Sequence, residues 1–486
     1  MATLSRAPTA NVARLLTEAA AKEPRRPAIL RYDGAVMWTF GGLAAAASRT
    51  ALLLRQAGLG PGDRLVIAVP SRRGAYAAVA GAMWAGATAV IPSRGATLRG
   101  VNRLHPRAVV IGSGGWLVVV TASWRMHITR LAKADSPPPS LASGNDPAQL
   151  DPSSPAIVTF TTGSTGRPKA VIRTHDNLLA QHQALTRLRP PLPGDVDLAG
   201  TPLLVLHNLV LGVTSLLPPP SRLAATSGML GSAVKTGSVT TIAGFPSLFE
   251  QLIIEPNVPF PEVRTAHIGG DAVRPDLLRR LAKALPAAEV MVVYGATEAE
   301  PMSAIPADEY LSRLADAPAD AGICLGRPVP ETEVRIDSMD ARVGHILVRG
   351  QHVVVGQRHD GGWHDTGDAG WLDSSGRLWW KGRAAHTVAP GLFAEEIERA
   401  AEAESGVARA AVARRTVGRE DRAVLLVEIS DHVPPAEVTH RLRSLVRQHG
   451  WPVREIGVVD RIPRDARSGS KIDRQAVARL VARRLT

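Results

Sequence analysis

Apolar and polar positions along the chain alternate between two periods. Arg64–Val69 (RLVIAV) is an apolar run of strand length, residues 75–87 form an alanine-rich helical stretch, and Thr88–Pro92 returns to strand. Val109–Ile111 and Trp116–Thr121 repeat the strand pattern, and Pro155–Val158 has the length of a short buried strand. Further on, Asn177–Arg187 predicts a helix, and Ser238–Ala243 and Arg264–Ile268 predict strands. Residues 291–298 (MVVYGATE) predict an apolar strand and then a turn that ends in a carboxylate. This alternation predicts α/β layers, with mainly parallel strands over 25–135. The Pro/Ser-rich stretch 136–155 is expected to be a linker.

Near Gly382–His386 the pattern restarts. Ala394–Glu404 predicts a helix, Val407–Arg414 and Arg422–Ile429 strands, Pro435–His449 a helix and Glu455–Val459 a strand. That is a small α+β unit of roughly 100 residues, enough to fold as a domain. The expected organisation is a large multi-layer α/β domain over residues 1–383 and a small α+β domain over 384–486.

Two uncharged stretches, 74–93 and 201–220, approach the length of a membrane span. The first contains Tyr76 and ends as a helix running into a strand; the second carries His207 and Asn208 and closes in prolines. Both are expected to be buried core, with no integral membrane segment. The N-terminus MATLSRAPTANVARLL lacks the apolar core of a secretory signal, so a cytoplasmic location is expected.

A length of 486 residues implies two or more domains, and a hydrophobic content of 45% is ordinary for a globular chain. The single cysteine, Cys324, permits no intrachain disulfide and suits a reducing compartment; it reads as a core residue at the start of a strand. The net charge is +13, but the arginines are scattered and aromatics are only 4%, which argues against a nucleic-acid partner.

Candidate chemistry concentrates in 159–175, TFTTGSTGRPKAVIRTH. Thr161, Thr162, Gly163, Ser164, Thr165 and Gly166 offer hydroxyls, backbone N–H groups and close approach, and Lys169 adds a point charge. That inventory suits a polyphosphate; a Ser/Thr/Gly-rich surface turn is the alternative. The usual P-loop spacing does not fit, since Ala170 follows Lys169.

With two further segments, Tyr294–Glu298 (YGATE) and Thr366–Asp368 (TGD), and with Ser470–Arg474 (SKIDR) near the end, the chain resembles the superfamily of adenylate-forming enzymes. That superfamily includes acyl- and aryl-CoA synthetases, adenylation domains and luciferase. The motifs fall in family order over nearly the whole chain. The resemblance implies ATP and Mg²⁺ as nucleotide and metal, with a small-molecule carboxylic acid as substrate. It implies that Thr161–Gly166 and Lys169 grip the triphosphate and that Glu298 helps hold Mg²⁺. Thr297 would contact the α-phosphate, and Tyr294 and Gly295 belong to the same nucleotide-binding motif. Gly270, Asp271 and Ala272 would lie beside adenine. Asp368 would bind the ribose hydroxyls and Arg383 would brace the ribose. Lys471 would meet the bridging oxygen in adenylation, carried by a C-terminal lid that rotates about a hinge near residue 383. Taken singly, Asp368 is a turn former, Lys471 an exposed lysine and Glu298 a helix cap; the ordered set raises them.

The stretch Thr201–Gly212 (TPLLVLHNLVLG) falls in the family's acyl-pocket region, and it carries no carboxylate to meet an α-amino group. An apolar or hydroxyacyl substrate is therefore expected, with His207 either orienting it or simply packed.

Three details depart from common CoA ligases. They are His345 in Gly344-His345-Ile346, Ala385 at the usual hinge position, and a loop from Ala384 to Gly391 about three residues short. In CoA ligases that loop helps form the pantetheine tunnel, so a CoA requirement is doubted. The segments Tyr294–Ala299 with Pro301, Gly382–His386 and Asp465–Ile472 instead resemble the β-lactone synthetases of bacterial olefin biosynthesis. Those enzymes adenylate a β-hydroxy acid, and its own hydroxyl then displaces AMP. An acyl- or aryl-CoA ligase ranks second. Transfer to a carrier protein or an amine, and a non-catalytic ATP-binding member, remain as alternatives.

Overall fold

The structure is a computed structural model that describes residues 11–484, apart from 70, 93–100, 102, 114–115, 122–125, 131–144, 162–168, 220–227, 255–257, 319, 339–341, 355–357, 360, 418–419, 431–432 and 465–470. The chain divides into two compact units. One is Met1–Met302 with Val329–Glu331 and Gly350–Gly356; the other is Ser303–Pro328, Thr332–Arg349 and Gln357–Thr486.

The first unit is mixed α/β, as the alternation predicts, and contains two sheets. One runs in the order Met126–Arg130, Trp116–Thr121, Ala108–Ser113, Arg64–Ala68, Thr88–Val90, Pro155–Thr161, Lys169–Thr174. Its central strands are parallel. Its flanks are antiparallel, which corrects the expectation of mainly parallel strands. The cause is chain length. Only Gly114 and Gly115 separate Ser113 from Trp116, whereas a parallel crossover needs a dozen or more residues.

Within the first unit, the second sheet sets Glu289–Ala296, Thr265–Gly269, Thr241–Gly244, Val196–Ala199, Thr214–Leu216, Pro27–Leu30 and Val36–Thr39 side by side. All pairs are parallel except the last. Its helices begin where the sequence provides caps. Thr174 and Asn177 close a capping box on His175–Leu188; Thr201 caps Pro202–Leu211, with proline in the first turn and Gly212 just past the end.

Both stretches weighed as spans are buried elements. Residues 74–85 lie in the helix Arg72–Ala85, which leads into the strand Thr88–Val90, and 202–211 form the helix that precedes Thr214–Leu216. No helix among the described residues is long and apolar enough to cross a membrane. The main core packs Ala44, Ala47, Ala51, Ala77, Ala78 and Ala82 around Trp38 and Trp84, so small side chains let the helices Phe40–Gln56 and Arg72–Ala85 approach closely. Of the Pro/Ser-rich stretch 136–155, residues 136–144 lie outside the described residues, and 145–154 run without helix or strand into the strand Pro155–Thr161.

The second unit holds an antiparallel sheet of Ile323–Cys324, Leu378–Arg383, Trp363–Leu372, Gly344–Arg349 and Glu333–Ser338. Cys324 is buried in the first of these, as its apolar setting predicts. Downstream, Val407–Val417, Glu420–Ile429 and Val453–Val459 form a three-stranded sheet. Leu425 and Val427 face the helices Ala394–Ala403 and Pro435–Gln448; Val424 and Leu426 face Val477 and Val481 of Arg474–Arg484. That alternation is the period-two signature of a strand covered on both faces.

Candidate active site

In the first unit, three candidate segments sit at or just beyond the carboxyl ends of strands. Thr161 ends Pro155–Thr161, Gly270 follows Thr265–Gly269, and Thr297–Glu298 is the turn after Glu289–Ala296. Open α/β sheets bind ligands at such ends. Thr162, Gly163, Ser164, Thr165 and Gly166 lie outside the described residues. Lys169 opens the strand Lys169–Thr174 and is exposed. Tyr294, Gly295, Thr297 and Glu298 are half-buried.

The Gly269–Gly270 step needs its glycines. A Cβ on Gly269 would stand 2.2 Å from the Val293 carbonyl, and Gly270 has φ +77° with Phe245 where a side chain would go. The backbone therefore lies flat against the neighbouring strand before Asp271 and the exposed Ala272. Asp271 accepts a hydrogen bond from the Ala272 N–H at 2.9 Å, while its Oδ2 is buried without a partner among the described residues.

The Thr297–Glu298 turn is held through its main chain. The Val354 N–H donates to the Glu298 carbonyl at 2.7 Å, and the Arg173 guanidinium donates to the Thr297 carbonyl and, at 2.9 Å, to Thr159 Oγ1. Arg173 thus ties the strand that enters the Ser/Thr/Gly segment to the turn that carries Glu298. The sequence reading passed over Arg173. The signal was present in the strand alternation, which puts Val171 and Arg173 on one buried face.

His207 is buried on Pro202–Leu211, and its Nδ1 lies 2.9 Å from Nδ1 of His182, the two rings stacked. One Nδ1 carries a proton and the other accepts it, so the two rings cannot both be charged. Burial, with the charges of His182, Arg189 and His267 after it, holds His207 well below the usual imidazole range. Burial pushes His182 down to about 4; burial and then Arg189 push His267 down to about 3. A small cavity beside His207 is lined by Arg189, Asp195, Asn208 and Thr241, toward the amino ends of the strands, away from the segments above.

These histidines make acid stability predictable. The unfolded chain takes up protons near pH 6.5, whereas the folded pockets refuse them until about 4 or below. Stability is therefore full above about 6.5 and is lost as pH falls toward 4, at about 1.4 kcal/mol per pH unit for each such histidine. Thermal melts from pH 7.5 to 4.5 are expected to show a falling midpoint that His182→Phe flattens. A slope unchanged in that variant would contradict the assignment.

In the second unit Asp368 lies in the strand Trp363–Leu372 rather than in a free turn. Opposite Ile346 the strand bulges through Thr366-Gly367-Asp368, with Gly367 at φ +71°. The bulge leaves Asp368 buried and paired across the sheet with Arg383, whose guanidinium donates to Asp368 Oδ1 and to the Thr366 carbonyl, each at 3.0 Å.

After Arg383 the chain makes one turn of 3-10 helix over Ala384–His386. A hairpin of Thr387–Ala389 and Leu392–Phe393 follows, turned by Pro390-Gly391, and then the helix Ala394–Ala403. The loop from Ala384 to Gly391 is thus taken up by this turn and hairpin. His386 is hydrogen-bonded to Glu395, and Arg474 donates to Glu395 at 3.1 Å and to Glu398 at 2.7 Å. Burial opposes the Glu395 charge, but His386 and Arg474 outweigh it and hold that carboxyl below its usual range; burial wins at Glu398 and raises it. Lys471 is exposed just before Ile472, which bridges to Arg464, and three residues before Arg474.

Residues 16–356 match the family described as AMP-binding enzyme. Among curated relatives, the olefin beta-lactone synthetase of Xanthomonas campestris pv. campestris is 31% identical over 66% of this chain and 66% of its own length. The chain therefore spans just under two thirds of that relative. The phenyloxazoline synthase MbtB of Mycobacterium tuberculosis is 30% identical over 95% of this chain and 34% of its own. The O-succinylbenzoate coenzyme A synthetase (MenE) of Bacillus subtilis in complex with AMP superposes with a TM-score of 0.74 at 20% identity, covering 95% of this chain and 97% of that one. The chain belongs to the AMP-binding enzyme family, and so to the adenylate-forming, acid-activating class.

Proposed function

We propose that this protein activates a β-hydroxy carboxylic acid with ATP and closes it to a β-lactone. In the first step a carboxylate oxygen attacks the α-phosphorus, the bond to the β-phosphate oxygen breaks, and pyrophosphate leaves. In the second the substrate's own hydroxyl attacks the activated carbonyl, AMP departs with the former carboxylate oxygen, and the hydroxyl proton goes to solvent. The observation that supports the reading best is the tie made by Arg173 between the strand entering the Ser/Thr/Gly segment and the Thr297–Glu298 turn. It joins the strand Pro155–Thr161, which leads into that segment, to the turn that carries Glu298.

The proposed roles are those of the resemblance. Thr161–Gly166 and Lys169 hold the triphosphate. Gly270, Asp271 and Ala272 border the base, Tyr294 and Gly295 belong to the nucleotide-binding motif, and Thr297 meets the α-phosphate. Asp368 and Arg383 hold the ribose. Glu298, half-buried on a backbone fixed on both sides, offers the hard oxygen ligand that Mg²⁺ prefers. Bound there, Mg²⁺ would neutralise phosphate charge; a magnesium complex with ATP is known for the Bacillus subtilis MenE. His207, neutral, is the one titratable group of the mostly apolar helix Pro202–Leu211, which would border the acyl pocket. Lys471 belongs to a lid proposed as residues 384–486, which pivots after Arg383.

Two features favour ring closure over thioester formation. The hairpin after Ala384 is tight, and the olefin beta-lactone synthetase is a 31% identical relative. A tethered hydroxyl has a high effective molarity, so no external acceptor is needed. Offered a long-chain β-hydroxy acid, ATP and Mg²⁺ without CoA, the protein is expected to release AMP and pyrophosphate in equal amounts. The organic product should weigh the acid minus water. A strict CoA requirement with an acyl-CoA product makes it an acid–CoA ligase; transfer only to a carrier thiol or an amine gives the third reading. No AMP with any acid or acceptor makes it a non-catalytic nucleotide binder.

A further inference from the structure

Arg173 is 3% exposed, on the inward face of a strand, and nothing in the nucleotide chemistry above uses it. An arginine in such a place is expensive to bury, and burial does push its guanidinium down, with the charges of Glu300 and Glu298 opposing. Its hydrogen bonds go to neutral oxygens. One is Thr159 Oγ1, two residues before the end of the strand that leads into the Ser/Thr/Gly segment; the other is the Thr297 carbonyl. The guanidinium therefore touches the backbone of the turn, while its charge acts on the carboxylates on either side of Ala299.

We propose that Arg173 is the positioning residue of the Mg²⁺-nucleotide site, fixing the Thr297–Glu298 turn against the strand Pro155–Thr161. The inference rests on the proposed role of Glu298. Its physical content is a division of labour: the fork of N–H groups sets the geometry and the buried charge sets the local potential. A lysine supplies the charge as a point donor without the planar fork, and methionine supplies neither. The effect belongs to metal and nucleotide, and the acyl pocket should not feel it.

The test compares Arg173→Lys, Arg173→Met and Thr159→Val with the unaltered protein and with Glu298→Gln. Thr159→Val removes one acceptor and leaves the arginine, so it covers the case in which Arg173→Met does not fold. Two quantities are read. One is the Mg²⁺ concentration for half-maximal pyrophosphate release, alongside KM for the acid. The other, without turnover, is Mn²⁺ affinity of the protein loaded with a non-hydrolysable ATP analogue, followed by electron paramagnetic resonance. Arg173→Met is expected to weaken metal affinity in both by tenfold or more, with acid KM within twofold; Arg173→Lys should recover part of it, and Thr159→Val should fall between Lys and wild type. Metal affinity unchanged in Arg173→Met or Thr159→Val overturns the inference, as does a parallel rise in metal and acid constants. If Glu298→Gln also leaves metal affinity unchanged, the role of Glu298 itself has failed; if it weakens metal binding while the Arg173 and Thr159 variants do not, only the inference has.

Discussion

Lys471→Ala is expected to slow acyl-adenylate formation by ~100-fold or more, while a pre-made acyl-adenylate is consumed at close to the normal rate. A fixed cation aimed at developing charge is typically worth a few kcal/mol, and each 1.36 kcal/mol is tenfold in rate. Lys471 is exposed and close in sequence to the anchored residue Arg474, so the substitution removes charge without disturbing a core. The two half-reactions are separable. Pyrophosphate exchange reports the first, and single-turnover AMP release from synthetic adenylate reports the second. Equal slowing of both steps would show that Lys471 supports the fold or the second step instead.

The largest loss of stability is expected at Asp197, at the centre of the first unit. Asp197 is fully buried and accepts from Arg189, from Asn208 Nδ2 at 2.7 Å and from Thr241 Oγ1 at 2.8 Å. Asp197→Ala strands the Arg189 charge and orphans two donors, for which about 3–5 kcal/mol is typical. Replacing both partners together, as Arg189→Met with Asp197→Leu, should recover much of the loss, because two apolar groups leave no charge unpaired. Denaturant unfolding of the three proteins checks this; a single variant within about 1 kcal/mol of wild type would be incompatible with a buried pair.

Sequence order was a good guide wherever periodicity was strong. The helix expected at Asn177–Arg187 is His175–Leu188, and the one at Pro435–His449 is Pro435–Gln448, because capping residues and proline mark their ends. Strand direction was less legible, since it depends on connection length rather than on side-chain pattern; hence the antiparallel pairing of Trp116–Thr121. The Thr-Gly-Asp segment read as a turn because its glycine signals φ > 0, and a bulge inside a strand makes the same demand. The partners of the site were the least legible. Arg173 reaches a carbonyl 124 residues away, and His182 meets His207 across 25. A single sequence carries no mark of such pairings, because each side chain alone fits an ordinary surface or core residue.

The contacts of Arg474 have a mechanical consequence. One guanidinium grips both Glu395 and Glu398, and Glu395 in turn holds His386 in the turn that follows Arg383. Peeling the terminal helix away would leave two acidic groups stranded in a poorly solvated seam. The chain just after Lys471 is therefore braced at Arg474 like an arm near its fulcrum, and the rotation proposed after Arg383 would carry Arg474 along with Glu395 and Glu398.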